Sequence, residues 1–173
     1  GIVTGTGRGI GREIVLTLAR EGVSTVAIDV NADDLATLAD DLAAIGGDHV
    51  QYVCDIRDAA RIREVIAEVD ERFGRIDLLV NNAWAAPKGF GGFSDPFWKR
   101  PVDDWDTQIG VGLRAHYVSS VHAARMMTAA GRGLITNISS FGSRGHLHSV
   151  LYGMSKTALD KMSADMAVEL KDT

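Results

Sequence analysis

The chain has 173 residues, 46% hydrophobic and 24% charged, with a formal net charge of −5. That suffices for one domain with a real core, and the acidic balance argues against nucleic acid as its main partner. The single cysteine, Cys54, excludes an internal disulfide framework and fits a reducing compartment, the cytoplasm, while no apolar run reaches the roughly 18 residues that span a bilayer.

Gly1-Ile2-Val3-Thr4 reads as the end of a buried strand, and Glu169-Leu170-Lys171-Asp172-Thr173 as the end of a helix. The expectation is a domain cut at both ends, lacking the start of its first strand and the strands that would follow Thr173. After Thr4 come glycines at 5, 7, 9 and 11, then Ile14, Val15, Leu18 and Ala19 at helical spacing. Such a turn suits phosphate. Glycines let the backbone approach closely, and the first free N–H groups of the helix face the anion. The strict G-x-G-x-x-G spacing fails, because Ile10 or Arg12 stands where the third glycine belongs. The pattern that fits is Thr4-Gly5-x-x-x-Gly9-Ile10-Gly11.

Thr25-Val26-Ala27-Ile28 is a second strand, with Asp29 at its end. An acid there binds the ribose hydroxyls of an adenosine and repels a 2′-phosphate, although a cap in the acidic run that follows is the plainer alternative. No Arg or Lys lies between Val23 and His49. NAD(H) is therefore favoured, with NADP(H) possible.

A helix over 32–45 precedes Gly46-Gly47, and a strand over 49–54 leads to Asp55. A helix over 58–73, striped by Ile62, Val65, Ile66 and Val69, and a strand over 76–80 lead to Asn81-Asn82-Ala83. Strands alternating with helices of this length predict an α/β fold on a parallel sheet, with ligands at the carboxyl ends of the strands. Thr4, Asp29, Asp55, Asn81 and Ser139/Ser140 all fall there.

The stretch 84–105 holds all three Trp and all three Pro, with Phe90, Phe93 and Phe97. It reads as a long irregular loop, either for binding or packed over the sheet edge. One long helix from 103 to about 130 and a fifth strand over 133–138 follow. A helix over 151–169 puts Tyr152 and Lys156 on one face, a turn apart. A lysine ammonium near a phenol stabilises the phenolate and draws its pKa from about 10 toward the catalytic range. Taken alone, such a pair is more often a surface pair. His146 and His148 lack the further Cys or His that a metal site needs and read as solvent-facing; Cys54 reads as an inert core residue.

Thr4 to Gly11, Asp29, Asp55, Asn81-Asn82-Ala83, Asn137-Ile138-Ser139-Ser140 and Tyr152-x-x-x-Lys156 together resemble the short-chain dehydrogenase/reductase family, in order and in spacing. The resemblance covers essentially the whole chain. It implies one domain over 1–173, a Rossmann-type doubly wound parallel sheet in three αβα layers. It implies an oxidoreductase interconverting a secondary alcohol and a carbonyl by hydride transfer. Tyr152 would exchange the proton, Lys156 would lower the Tyr pKa and hold the nicotinamide ribose, and Ser140, 12 residues before Tyr152, would orient the substrate oxygen, with Ser139 as fallback. Gly5, Arg8, Gly9, Ile10 and Gly11 would line the cofactor, with Asp29 on its ribose, Asp55 and Ile56 near the adenine, and Asn81 and Ala83 beyond. Family members pair through their two long helices, so a homodimer or homotetramer is implied. The aromatic stretch hints at an apolar small-molecule substrate. The alternative is a non-catalytic dinucleotide-binding or sensor protein of the same fold.

Two departures stand out. Trp84 follows Asn-Asn-Ala where the family commonly has Gly, and Gly112 stands where the family has the Asn that supports a proton relay to the lysine. Asn-Asn-Ala-Trp and Val-Gly-Leu-Arg-Ala-His-Tyr resemble a subgroup that also carries this Gly, implying a variant relay through water or His116. That subgroup has Arg just after the second strand, where this chain has Asn31, so its NADP preference does not transfer.

Overall fold

Five short strands alternate with helices in the computed structural model, which describes residues 1–86 and 95–173. The order is β1 (Ile2–Thr4), α1 (Gly9–Arg20), β2 (Thr25–Asp29), α2 (Ala32–Ile45), β3 (His49–Val53), α3 (Ala59–Phe73) and β4 (Leu78–Asn81). Then come α4 (Asp104–Ile109), α5 (Ala115–Ala129), β5 (Leu134–Asn137) and α6 (Val150–Glu169). The strands are all parallel and lie in the order β3-β2-β1-β4-β5. The order reverses between β1 and β4, which opens a crevice at their carboxyl ends.

The inner strands β1, β2 and β4 carry apolar runs because both of their faces are covered. Ile2, Val26 and Leu79 face the layer of α3 and α5, joining Ile62, Val65, Ile66, Val69, Ala123 and Met127. Val3, Ala27 and Val80 face the opposite layer, with Val15, Leu16 and Ala19 of α1 and Leu35, Leu38 and Leu42 of α2. Each fully buried aliphatic side chain contributes about 1.5–3 kcal/mol, so the α3 stripe alone anchors that helix. The helix ends follow from local chemistry. Asn31 and Asp58 cap α2 and α3 by accepting two backbone N–H bonds each, and Gly74 stops α3 in the left-handed conformation. The expected α/β doubly wound sheet is thus present.

The long helix expected from 103 to about 130 is not continuous. Gly110–Arg114 forms a π-helical turn between α4 and α5, closed by the Ala115 N–H on the Gly110 carbonyl. Two glycines in five residues weaken the regular ladder there, and the wider turn accommodates the mismatch. Strand edges differ from expectation by up to two residues: the fourth strand is Leu78–Asn81 and the third stops at Val53. Within 84–105 a 3-10 turn, Phe97–Lys99, leaves Phe97 and Trp98 exposed. Phe90, Phe93 and Pro87 lie outside the described residues. No described helix is long and apolar enough to cross a membrane.

Candidate active site

The site begins where β1 and β4 end side by side. Thr4 is fully buried, and its Oγ1 accepts from the backbone N–H groups of Asn82 (3.1 Å) and Ala83 (3.2 Å). The Asn82 amide in turn donates to the carbonyls of Thr4 (3.0 Å) and Gly5 (3.1 Å). These bonds draw the glycine turn against the end of β4. Gly5 sits at φ +70°, where a Cβ would lie 2.7 Å from the Ala83 Cα, and a Cβ on Gly11 would lie 2.1 Å from the Gly5 carbonyl oxygen. Only glycine fits either place.

Helix α1 starts at Gly9 without the side-chain cap that α2, α3 and α6 possess, and with no acid in its first turn. Its first N–H groups therefore keep their capacity for an anion at an exposed turn, where Arg8 and Gly9 are open and Ile10 is 65% exposed. The Asp29 carboxylate stands beside that turn. It accepts from the Gly7 N–H (2.8 Å) and the Asn31 N–H (3.0 Å), two backbone donors that fix its direction.

Asp55 is forked by Arg57, whose Nε lies 3.0 Å from each carboxylate oxygen; this bonding holds the Asp55 carboxyl below the usual carboxylate range. Ile56 is buried in the core. The pair thus offers an open, already ion-paired carboxylate and a hidden side chain. Asn81 also faces inward: its amide donates to Asn137 Oδ1 (2.9 Å), Ser120 Oγ (3.0 Å) and the His116 carbonyl (3.4 Å). Of the polar strand ends, Thr4 and Asn81 act as internal braces, while Asp29, Asp55 and Ser140 reach the open edge.

Ser140, Tyr152 and Lys156 come together at the end of β5. Ser149 caps α6 by accepting the Tyr152 N–H (3.1 Å), which fixes Tyr152 in the first turn of the helix. Lys156, one turn on, is 4% exposed, and its Nζ donates to the Ile138 carbonyl (2.7 Å), 5.8 Å from the centre of the Tyr152 ring. Burial lowers the Lys156 pKa, opposed by the nearby Asp160 carboxylate. Ser140 Oγ accepts the Gly142 N–H at 3.1 Å. A Cβ on Gly142 would meet the Tyr152 ring at 2.7 Å and Ser140 Oγ at 3.2 Å, so that glycine lets the two approach. The Ser139 hydroxyl is buried, which leaves Ser140 as the serine beside Tyr152.

One residue was misplaced by sequence reasoning, and two that it singled out, Trp84 and His116, make contacts it did not foresee. His148, expected in solvent, is half-buried with its ring 4.9 Å from that of Tyr152. Its position four residues before Tyr152, at the entry to α6, was the available signal. Trp84 meets the Tyr152 ring edge to face at 5.7 Å. His116 is fully buried, and its Nε2 lies 3.0 Å from the Ala83 carbonyl. A carbonyl only accepts, so Nε2 carries the proton. Burial, then the Lys156 charge, push the His116 pKa down to about 4, and the ring is neutral. Among the described residues no group of three His, Cys, Asp or Glu is placed to hold a metal ion.

A family model described as short chain dehydrogenase matches residues 2–173. Dehydrogenase/reductase SDR family member 1 of Homo sapiens is 42% identical over 172 residues, covering 98% of this chain and 55% of the relative. D-threitol dehydrogenase of Mycolicibacterium smegmatis is 32% identical, covering 97% of this chain and 63% of its own. The chain thus spans about half to two-thirds of the length of these curated relatives. Among solved structures, a metagenomic short-chain oxidoreductase in complex with NADP superposes with TM-score 0.90 at 32% identity, over 99% of this chain and 76% of that one. Carveol dehydrogenase from Mycobacterium avium in complex with NAD gives TM-score 0.90 at 26% identity, over 98% and 65%. With the glycine turn, the parallel sheet and the Tyr152/Lys156 pair in their places, the match across residues 2–173 is decisive: this chain belongs to the short-chain dehydrogenase family.

Proposed function

We propose that the protein is an NAD(H)-dependent oxidoreductase that interconverts a secondary alcohol and a ketone or other carbonyl, with Tyr152 as the acid/base. The observation that carries this reading is Lys156 Nζ, buried, held by the Ile138 carbonyl and 5.8 Å from the Tyr152 ring beside Ser140. A surface pair would not be built this way. A buried cation there stabilises negative charge on the phenol oxygen as it gives up its proton. Ser140 Oγ already accepts from Gly142, so its own hydrogen is available to donate to the substrate oxygen.

The residues at the carboxyl edge fit a nicotinamide dinucleotide. The uncapped start of α1 would take the pyrophosphate, Gly5 and Gly9 leave the backbone bare beside it, and Asp29 would accept from the ribose hydroxyls. When bound, the nicotinamide supplies or accepts the hydride. Asn81 supports the site as an inner brace, with Ala83 and Asp55 toward its further reaches and the Ile56 side chain buried in the core behind them.

A second reading of the cofactor, NADP(H), is favoured by Arg8, an exposed cation in the turn itself. Equilibrium titration of the full-length protein with NADH and NADPH, followed by energy transfer from tryptophan, separates the two. Tighter NADH binding supports the role given to Asp29, tighter NADPH binding moves it to Arg8, and binding of neither at millimolar levels overturns the oxidoreductase reading. Tyr152→Phe then tests the chemistry: turnover is lost while cofactor binding stays, whereas unchanged turnover removes Tyr152 from its role. Tyr117, Met154 and Val168 are exposed on α5 and α6, which supports pairing through those helices, and sedimentation of the full chain tests it.

A further inference from the structure

Among the described residues, four neighbours meet the Tyr152 ring. Lys156 and Gly142 belong to the arrangement already described. The other two are aromatic: Trp84 at 5.7 Å with the ring planes at 90°, and His148 at 4.9 Å and 73°.

Two observations set this pair apart from casual packing. His148 adopts φ 65°, and it is the one non-glycine residue with positive φ among the described residues. Its backbone is kept in a conformation that side chains rarely accept, beside the proposed acid/base. Trp84 is 39% exposed, yet the backbone that carries it is fixed on both sides of Ala83, by Thr4 Oγ1 and by His116 Nε2. Gly112 lies beside it. A Cβ at 112 would lie 2.8 Å from Ser155 Oγ, too close to stand, and in ordinary contact at 3.7 Å with Trp84 Cδ1, so the glycine lets Ser155 of α6 come close beside the indole.

We propose that Trp84 and His148 are positioning residues that fix the direction of the Tyr152 hydroxyl. A phenol free to turn about its Cα–Cβ bond would present its oxygen over a range of directions. Two ring contacts at an edge-to-face geometry remove that freedom, and an ångström of misplacement at a reacting atom costs about a hundredfold in rate. The kinetic consequence rests on the reading of Tyr152 as acid/base. The ring contacts do not.

The test uses the full-length protein in two arms. In the first, every tryptophan but Trp84 is replaced by phenylalanine and its time-resolved anisotropy is recorded. Tyr152→Leu should release the indole and add a fast depolarising component; an unchanged decay overturns the proposal. In the second, Trp84→Ala should lower kcat by about ten- to a hundredfold with KM for the carbonyl nearly unchanged, and Trp84→Phe should restore most of it. His148→Gly, which suits the left-handed backbone, should leave the thermal midpoint level or higher and still lower kcat. Loss confined to KM, or full kcat in both Trp84→Ala and His148→Gly, overturns the proposal. A wild-type protein that turns over no carbonyl with either NADH or NADPH counts against the functional reading, and the anisotropy arm alone then decides the positioning role.

Discussion

Alanine substitutions at Gly9, Gly11 and Gly5 separate backbone strain from steric collision at the turn that opens the site. Gly9 has φ +57°, and a Cβ placed there would find nothing within 4 Å, so alanine meets strain alone. The left-handed conformation costs a non-glycine residue about 1–2 kcal/mol, offset by about 0.4–1 kcal/mol from the stiffer unfolded chain. Gly9→Ala should therefore cost about 1 kcal/mol or less. Gly11 is buried in the first turn of α1, where alanine gains about 1 kcal/mol of helix propensity but drives its Cβ to 2.1 Å from the Gly5 carbonyl oxygen and 2.5 Å from Asn82 Nδ2. Backbone atoms cannot swing aside, and overpacking of this kind costs about 1–3 kcal/mol. Gly5 combines both penalties, with φ +70° and a Cβ 2.7 Å from the Ala83 Cα, so Gly5→Ala should be the worst of the three, at about 2–4 kcal/mol. Urea unfolding of the full-length variants measures the order. Should Gly9→Ala prove as damaging as Gly5→Ala, the close approach of β1 and β4 is not what demands glycine, and the reasoning fails.

Lys156→Met removes a charge whose burial is unfavourable, so it should lower turnover by about a hundredfold or more while leaving the thermal midpoint near wild type; equal losses of activity and midpoint would show Lys156 to be structural. His116 stays neutral in the fold down to about pH 4 but has a reference pKa of 6.5, so the unfolded chain binds the additional proton between those values. Stability should fall as pH drops from about 6.5 to about 4, by about 3 kcal/mol from this group, and the urea midpoint of His116→Gln should show a shallower slope over that window; parallel slopes would refute the buried, neutral state. Asp29→Asn preserves the size of the side chain while removing its charge, so it should shift the NADPH-to-NADH affinity ratio by about tenfold toward NADPH, and an unmoved ratio in titration would take Asp29 out of cofactor selection.

The sheet was legible because parallel strands buried on both faces leave uninterrupted apolar runs, and the helices because Ile62, Val65, Ile66 and Val69 recur at helical spacing. Ser140, Tyr152 and Lys156 were legible as an ordered set, since a strand exit and one helix turn fix their separation. The π turn was not. It depends on how Gly110 lies against Arg57 and Gly112 against Ser155 of α6, a tertiary matter that local pattern does not encode. His148 was misread for a related reason: a histidine in a glycine-containing loop resembles any solvated one until the loop's path lays it on Tyr152.

The polar residues at the strand ends carry the more general lesson. In sequence Thr4, Asp29, Asp55, Asn81 and Ser140 look equivalent, each a polar side chain after an apolar run. Their partners divide them. Thr4 and Asn81 end the adjacent strands β1 and β4, and Thr4 binds the Asn82 and Ala83 amides while Asn81 reaches Ser120 and Asn137. An unsatisfied polar group buried there would cost about 1–3 kcal/mol, so those side chains turn inward to partners. Asp29 ends β2, on the other side of β1 from β4 and beside the exposed glycine turn, and its carboxylate is held by backbone donors rather than hidden by them. The braces keep the turn and the Ala83-Trp84 segment at one separation, and the open residues face what enters. Rigidity and availability thus arise from the same kind of residue at the same sheet edge, distinguished by the partners within reach: side chains of α5 and β5 for Asn81, backbone N–H groups of open turns for Asp29.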